Sequence, residues 1–548
     1  MEKAVKMGKV SATGSFQLFI GRILSTLLLA IGTIVVGLYI QEGDYGLYTI
    51  ALVPAATLLL FQDWGVGPAL TKYCANYRVS GKEGELRGLI VSGLVFASLT
   101  GLTLTFLLVG LSNFMASAIY NKPESAYLIS LSSITIISTA VYTFSISIIT
   151  GFERMSLSSV TMIISGIVQG FLSPLLVYLG FGATGAVVGF TSATASSAIV
   201  GLVLLYYVIY KNLPEGKVNK RLLFQNLKQL LHYGIPLSVS IIIAGIGTQI
   251  YYFVMARSVE VAMIGNFSIA NNFTVFLTFF IFPLQAVLFP AFSKLDPLKE
   301  KELLKTIYSS SVKYSSLFMV PATMAVMVLA SPLVHTLYGD KWLSAPLFLT
   351  LIVAGNLVVL LGNVSFSRLL YAMGETKMLI KLSLIDIVIG VPLAFLLIPP
   401  FGIAGLIIGS TMIAPVSGLV IGVYWTWKKY GTKPDFSSSL RILLASTIAS
   451  LFTFLFLQFF EIAAWVILIG GSAVFLLTYI FFIPLVGAPK ATACAPREPC
   501  CHRLQELHFV VHQKQFWIGH RFRSSVAHTS HRLRKNSPQP WLTPPLKP

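Results

Sequence analysis

GFGATGAVVGFT at Gly180–Thr191 and PFGIAGLIIGST at Pro400–Thr411 are one twelve-residue pattern written twice, 220 residues apart. Two more pairs keep the same order. YGLYTIA (Tyr45–Ala51) resembles IGNFSIA (Ile264–Ala270) at an offset of 219. Tyr120, Ser125 and Ala126 find counterparts in Tyr338, Ser344 and Ala345 at offsets of 218 to 219. Glycine-rich apolar stretches are common in membrane helices, so one match alone carries little. Three in the same order at nearly one offset point to an internal duplication.

The duplicated material is apolar throughout. The chain has 548 residues, 55% of them hydrophobic and 11% charged, with a mean hydropathy of +0.80. Soluble domains carry about 25% charged residues, so this composition excludes an ordinary soluble enzyme. A spanning helix takes about 20 apolar residues. Candidate spans begin near Phe16, Tyr45, Leu86, Ala126, Leu157 and Ala183, and again near Tyr233, Ile264, Tyr314, Ala345, Met378 and Gly402. Two more begin at Arg441 and Ala463. The expected fold is therefore an all-α polytopic membrane protein with about fourteen transmembrane helices, two parallel six-helix repeats plus two extra helices. The expected domains are 1–232, 233–430 and 431–486, followed by a tail at 487–548. Six helices per repeat is an even number, so both copies enter the membrane in the same direction. They are related by a pseudo-twofold axis along the membrane normal, the arrangement that alternating access requires. Lys3, Lys6 and Lys9 before the first span give it the look of a signal peptide. Its length and the missing small-residue cleavage site make it an uncleaved helix.

Positive charge orients the spans. With the N-terminus inside, the inside segments hold 24 Lys and Arg, whereas the outside loops hold only Lys122, Arg257 and Lys341. This places both termini in the cytoplasm and leaves only short outside loops, with no room for an external catalytic domain. The formal net charge is +19, of which +8 belongs to the last 62 residues. That tail breaks from the apolar body, and Cys494, Cys500, Cys501 and six of the eight histidines lie in it. The spacing of Cys500, Cys501, His502, His508 and His512 matches no zinc motif, so no metal is expected. The tail reads as a disordered basic segment or a non-native scar, and Cys74 alone in the body excludes a disulfide framework.

Several local patterns carry a family likeness. QEGDYGLYTIA (Gln41–Ala51), FQDWGVGPALTKYCANY (Phe61–Tyr77), GFERM (Gly151–Met155), YGIPLSVS (Tyr233–Ser240) and the two glycine-rich repeats resemble the polysaccharide flippase branch of the multidrug/oligosaccharidyl-lipid/polysaccharide exporter superfamily. The likeness covers about residues 10 to 486. It implies a twelve-helix V-shaped core with two added helices. It also implies movement of an isoprenoid-pyrophosphate-linked oligosaccharide from the inside to the outside of the cytoplasmic membrane, with membrane lipids around it and a polysaccharide polymerase or transferase as pathway partner. No P-loop is present, so ATP is not the direct energy source. No cofactor and no nucleic-acid partner are expected.

Such a substrate needs cations for its pyrophosphate and polar groups for its sugars. Ionisable residues at helix centres cost about 2.5–3.5 kcal/mol on insertion scales and need a reason. Arg22 and Arg368 are the candidate substrate cations, against a plain reading as arginines that snorkel to the inner headgroups. Asn271, Asn272 and Gln249 are candidate sugar contacts, against interhelical glue. Asp386 and Asp63 are candidates for ion coupling or pairing, with Arg368 the expected partner of Asp386. Their counterparts in the other repeat, near Ile241, Ile149, Gly166 and Phe282, are uncharged, so the scaffold does not demand these charges. His335 reads as an interface histidine. Pro54, Pro174, Pro236, Pro283, Pro321 and Pro392 are expected to kink their helices. Two other classes remain open. One is a drug or cation antiporter of the same superfamily, kept alive by Asp386. The other is a membrane glycosyltransferase or polymerase, for which Glu42, Asp44, Glu124, Glu260, Asp340 and Glu461 sit on loops too short to build a catalytic site.

Overall fold

The computed structural model describes residues 2–214, 219–297, 299–459 and 463–486. The Cys- and His-rich tail lies outside the described residues. Among the described residues the secondary structure is helical, with no strand. The first half runs through α1 (Glu2–Tyr39), α2 (Glu42–Leu59), α3 (Val66–Val79), α4 (Glu83–Phe114), α5 (Ala126–Ser132), α6 (Ile134–Gly151), α7 (Met155–Leu176) and α8 (Gly182–Leu204). The second opens with α9 (Lys220–Ser258), a single helix that crosses the expected 232/233 boundary, then α10 (Val261–Asn272), α11 (Thr274–Ser293), α12 (Lys301–Val328) and α13 (Ala330–Tyr338). It continues through α14 (Ala345–Ala354), α15 (Asn363–Ala372), α16 (Thr376–Ile407) and α17 (Ala414–Tyr430). The added helices are α18 (Phe436–Phe459) and α19 (Ala464–Leu485).

By length and composition, nine helical runs among the described residues suit a membrane crossing, or ten if the pair Ala345–Leu361 and Asn363–Ala372, bent by 59°, is one span. The difference from about fourteen has physical causes. Met155–Asn212 and Lys377–Tyr430 are 58 and 54 residues long, far beyond the roughly 20 needed for a single crossing. Each contains a glycine with non-helical backbone: Gly180 and, just after it, Gly182 in one, and Gly402 in the other. α2 begins with Glu42 and Asp44, and its buried face meets protein rather than lipid. Val261–Leu277 is short for a crossing.

The glycine-rich pattern has the same backbone in both copies. Gly182 has φ 47° and ψ −130°, and Gly402, 220 residues later, has φ 58° and ψ −136°. Residues with a Cβ are excluded from that region, so the pattern needs glycine at this position. Beyond it, Gly185 and Gly405 each press against a leucine from before the break, Leu176 and Leu397.

Small residues set the helix spacing, as expected where lipid supplies no hydrophobic drive between helices. Gly32 of α1 meets the backbone of Gly170 on α7, and Gly166 meets Ser25. Ser25 Oγ donates to the Met162 carbonyl at 2.7 Å, and Ser159 Oγ to that of Gln17 at 2.8 Å. The largest buried cluster joins both halves, from Ile40, Tyr45 and Tyr120 to Met255, Ile264, Tyr338 and Trp342. A second cluster unites α3, α4 and α6 with Leu230 of α9. α18 and α19 add a satellite around Ala449 and Phe475, anchored where Tyr479 donates to the Leu317 carbonyl at 2.9 Å. Large exposed apolar side chains such as Phe106, Phe171, Leu396, Leu477 and Phe481 cover the outside. That surface is what a lipid-facing bundle presents.

Candidate functional site

The two halves meet across α2 and α10, and the contact is reciprocal. Gly46 lies against the Val261 carbonyl, while Gly265 lies against the Glu42 carbonyl. Gly46 and Gly265 stand 219 apart, and so do Glu42 and Val261. Between them Thr49 and Ser268, also 219 apart, share a hydroxyl–hydroxyl hydrogen bond of 2.8 Å. Equivalent residues touching each other mark a two-fold axis, here a pseudo-twofold within one chain.

Polar groups close this junction at one end. Asn266 Nδ2 donates to Glu42 Oε2 at 2.5 Å, and its Oδ1 accepts from the Ser344 and Ala345 amides, both at 3.1 Å, at the start of α14. Lys122 Nζ donates to the carbonyls of Ala256 (2.7 Å) and Val259 (3.0 Å). Lys341 Nζ donates to those of Leu38 (2.8 Å) and Ile40 (2.6 Å). Arg257 donates to the carbonyls of Ala118 and Ile119. Partial burial lowers the pKa of both ammonium groups from their ordinary 10.5, opposed by Glu124 near Lys122 and by Glu42 near Lys341. Trp342, fully buried, donates to the Gly37 carbonyl at 3.1 Å.

Of the residues singled out in the sequence, the structure sets two in this interhelical fabric and a third, Asp63, at the start of a helix. Asn272 donates to the Tyr45 hydroxyl at 3.0 Å, joining α10 to α2. Gln249 Oε1 accepts from Thr57 at 3.5 Å, joining α9 to α2. Asp63 Oδ1 accepts from the Gly67 amide at 2.8 Å. It caps α3 at a turn where Trp64 and Gly65 have φ of 49° and 74° and Gly65 lies backbone to backbone against Gly234 of α9. Asn271 is half-buried at the end of α10, and its backbone carbonyl accepts from Thr274.

The charges lie apart. Arg22 is exposed on α1, next to Gly21, which faces Ser159 of α7. Arg368 and Asp386 do not pair, contrary to the expectation from antiparallel neighbours. Arg368 donates through Nη2 to Gln285 on α11, and its guanidinium lies 5.8 Å from the Tyr371 ring, while its Nε is buried without a hydrogen-bond partner. Asp386 faces the other way, onto α17, where its Oδ1 fills the space a side chain at Gly418 would take. That oxygen is buried and has no hydrogen-bond partner. One turn on, Gly390 makes room for the Tyr251 hydroxyl of α9. Asp386, Tyr251 and two glycines thus form a polar spot where α9, α16 and α17 meet. His335 pairs with Asp340 at 2.8 Å at the end of α13. Among the described residues no cluster of three His, Cys, Asp or Glu side chains is placed to hold a metal.

Tyr251, Gln285 and Asn266 carry no sequence signal: each is a common polar residue whose role depends on what faces it. Lys122 and Lys341 do carry one, because they stand 219 apart, the offset of the repeat itself.

Comparison with known proteins agrees with this architecture. The model of a family described as polysaccharide biosynthesis protein matches residues 38–346, and that of the lipid II flippase MurJ matches residues 219–478. An uncharacterized membrane protein of Methanocaldococcus jannaschii is 24% identical over 381 residues, 67% of this chain and 74% of the relative. A probable low-salt glycan biosynthesis flippase, Agl15 of Haloferax volcanii, is 21% identical over 193 residues, 34% of this chain and 40% of the relative. Among solved structures, lipid II flippase MurJ in an inward closed conformation superposes with a TM-score of 0.68 at 16% identity, covering 85% of this chain and 98% of that one.

Proposed function

This chain belongs to the polysaccharide biosynthesis protein family, and from that membership we propose that it flips an isoprenoid-pyrophosphate-linked oligosaccharide from the inner to the outer leaflet of the cytoplasmic membrane. The observation that carries the reading is the family match over residues 38–346, which spans the junction between the two halves. The named flippase relative and the likeness to a lipid II flippase support the same substrate class. The chain acts as a transporter and not as an enzyme. A polymerase or transferase of the same pathway consumes what it delivers.

The physical task is to carry a polar, anionic head through hydrocarbon while the lipid tail stays in the membrane. Residues 1–232 and 233–430 act as two lobes that rock about the α2–α10 contact, and residues 431–486 add a lateral pair of helices. The 24-to-3 distribution of Lys and Arg supports cytoplasmic termini, which makes the Lys122 and Lys341 end the outer one. Arg22 and Arg368 supply positive charge towards the inner side for the pyrophosphate. The half-satisfied state of Arg368 supports this role, since a guanidinium with a spare donor has capacity for a phosphate oxygen. The spot at Asp386 supports coupling to an ion, because a buried carboxylate oxygen without a partner is costly unless a proton or cation joins it.

The decisive test is reconstitution. Liposomes holding the full chain should expose labelled lipid-linked oligosaccharide to a membrane-impermeant enzyme faster than empty liposomes do. Equal rates in both would overturn the proposal.

A further inference from the structure

We propose that Lys122 and Lys341 are two reciprocal latches that hold one end of the translocation path shut, each capping the first helix of the opposite half. The assignment of this end to the outside rests on the orientation proposed above; the latch itself does not.

Four observations carry it. Lys122 belongs to the first half and bonds the end of α9, the first helix of the second half. Lys341 belongs to the second half and bonds the end of α1, the first helix of the first half. The lysines stand 219 apart, and so do two of their acceptors, Ile40 and Val259, so the two contacts are one contact made twice about the Thr49–Ser268 axis. The acceptors are also chemically apt. The last carbonyls of a helix lack intrahelical donors and sit at the negative end of its dipole, where a cation is favoured. α1 has no basic residue in its own last turn, and Arg257 in the last turn of α9 reaches away to Ala118 and Ile119. Each helix end therefore takes a cation from the other half. Neither lysine forms an ion pair within 4.0 Å among the described residues. Neutral carbonyls make the latch reversible, since opening strands no carboxylate and leaves an ammonium and carbonyls that water can solvate. Because each latch ties a first helix to the opposite half, the halves cannot part at this end while either holds.

Ala270, fully buried on α10 two residues past the Thr49–Ser268 contact and so behind the closed end, is the reporter site. The full chain is prepared with A270C, with Cys494, Cys500 and Cys501 changed to serine, and with buried Cys74 kept as a reporter of folding. A membrane-impermeant maleimide is added to intact cells or to inverted vesicles, and labelling of each cysteine is read by mass spectrometry. The expected result is that K122M and K341M each speed labelling of A270C by about tenfold or more, since each removes two charged hydrogen bonds and the loss of one alone corresponds to about that factor. The double variant should go further, K122R and K341R should stay near the parent rate, and Cys74 should remain protected throughout. Unchanged labelling in the double variant overturns the latch. So does faster labelling of Cys74 in inverted vesicles, the preparation in which the proposed orientation opens its side to the reagent, which would make the lysines struts of the fold. Faster labelling seen only in inverted vesicles supports the latch and overturns the proposed orientation. Faster labelling in a chain that moves no lipid-linked oligosaccharide supports the latch and overturns the substrate.

Discussion

Asp386 and Asp63 are the two acids that the sequence singles out for coupling or pairing, and Asp63 shows by contrast what is unusual about Asp386. Asp63 spends its carboxylate on the Gly67 amide as a cap of α3. Asp63→Ala should cost about 1 kcal/mol, the usual loss for a removed cap, read as a lower unfolding midpoint in detergent, while transport per folded molecule persists. Asp386 keeps a buried oxygen without a partner, packed against Gly418. Asp386→Asn should lower gradient-driven transport by roughly tenfold or more, given the cost of about 2.5–3.5 kcal/mol that a retained intramembrane charge represents. Because Arg368 is engaged by Gln285, neutralising Arg368 as well should bring no rescue. Recovery in the double variant would show that the two charges meet in another state of the cycle. A third carboxylate is set by its partners at the surface. Glu375 accepts from Lys429 and, at 2.7 Å, from the Tyr430 hydroxyl. The Lys429 bond first and the Tyr430 bond second hold its pKa below the ordinary 4.5. A depressed folded value means the tie stabilises the protein above pH 4.5 and is lost as pH falls below it. Glu375→Gln should remove that part of the acid dependence from a thermal-stability profile.

At the scale of elements, the glycine-rich pattern was the most legible feature, and its meaning is conformational. Gly402 has open space around the position of a missing Cβ, whereas a Cβ at Gly182 would crowd Asp44. Gly402→Ala therefore isolates backbone strain. It should cost about 1–3 kcal/mol, the range for a residue forced into such a region, and Gly182→Ala should cost more, both read from unfolding in detergent. If Gly402→Ala is neutral, the backbone relaxes there and the shared conformation is not required. The apolar runs were legible for a related reason: a helix facing lipid must be apolar on that face. α2 and α10 were harder to count because they face protein, and protein accepts Glu42, Asn266 and Asn272 where lipid would not. The site was less legible still. Asn272 and Gln249 were open to sugar binding or to interhelical bonding from sequence, and only their partners Tyr45 and Thr57 show the bonds they make. Arg368 and Asp386 stood near each other in the chain, yet rotation about their helices points one to α11 and the other to α17, and hydropathy does not encode that rotation.

For the whole molecule, the end at which the halves are tied together fixes how the loops must be sided. The structure places Glu42, Lys122, Asn266 and Lys341 at one common end of the junction, so their loops must share a side whatever the orientation. On the fourteen-span reading of the sequence, 24 Lys and Arg flank the opposite ends of the spans and three flank this one, which is the ground for the orientation proposed above. The bias acts during insertion, through short loops close to the helix ends, and all three minority cations are occupied by backbone carbonyls across the junction. On the latch proposed above, their presence serves closure and takes nothing from the orienting majority. Reporter tags after Lys82, within 217–221 and near Lys433 should read cytoplasmic, and tags near Asp44 and Asp340 should read external. Because Lys341 bonds the Leu38 and Ile40 carbonyls just before α2, the tags near Asp44 and Asp340 must agree with each other even if the whole molecule is inverted. Disagreement between those two would break the parallel relation of the halves. Agreement on the cytoplasmic side would keep the fold and reverse the direction in which the path opens.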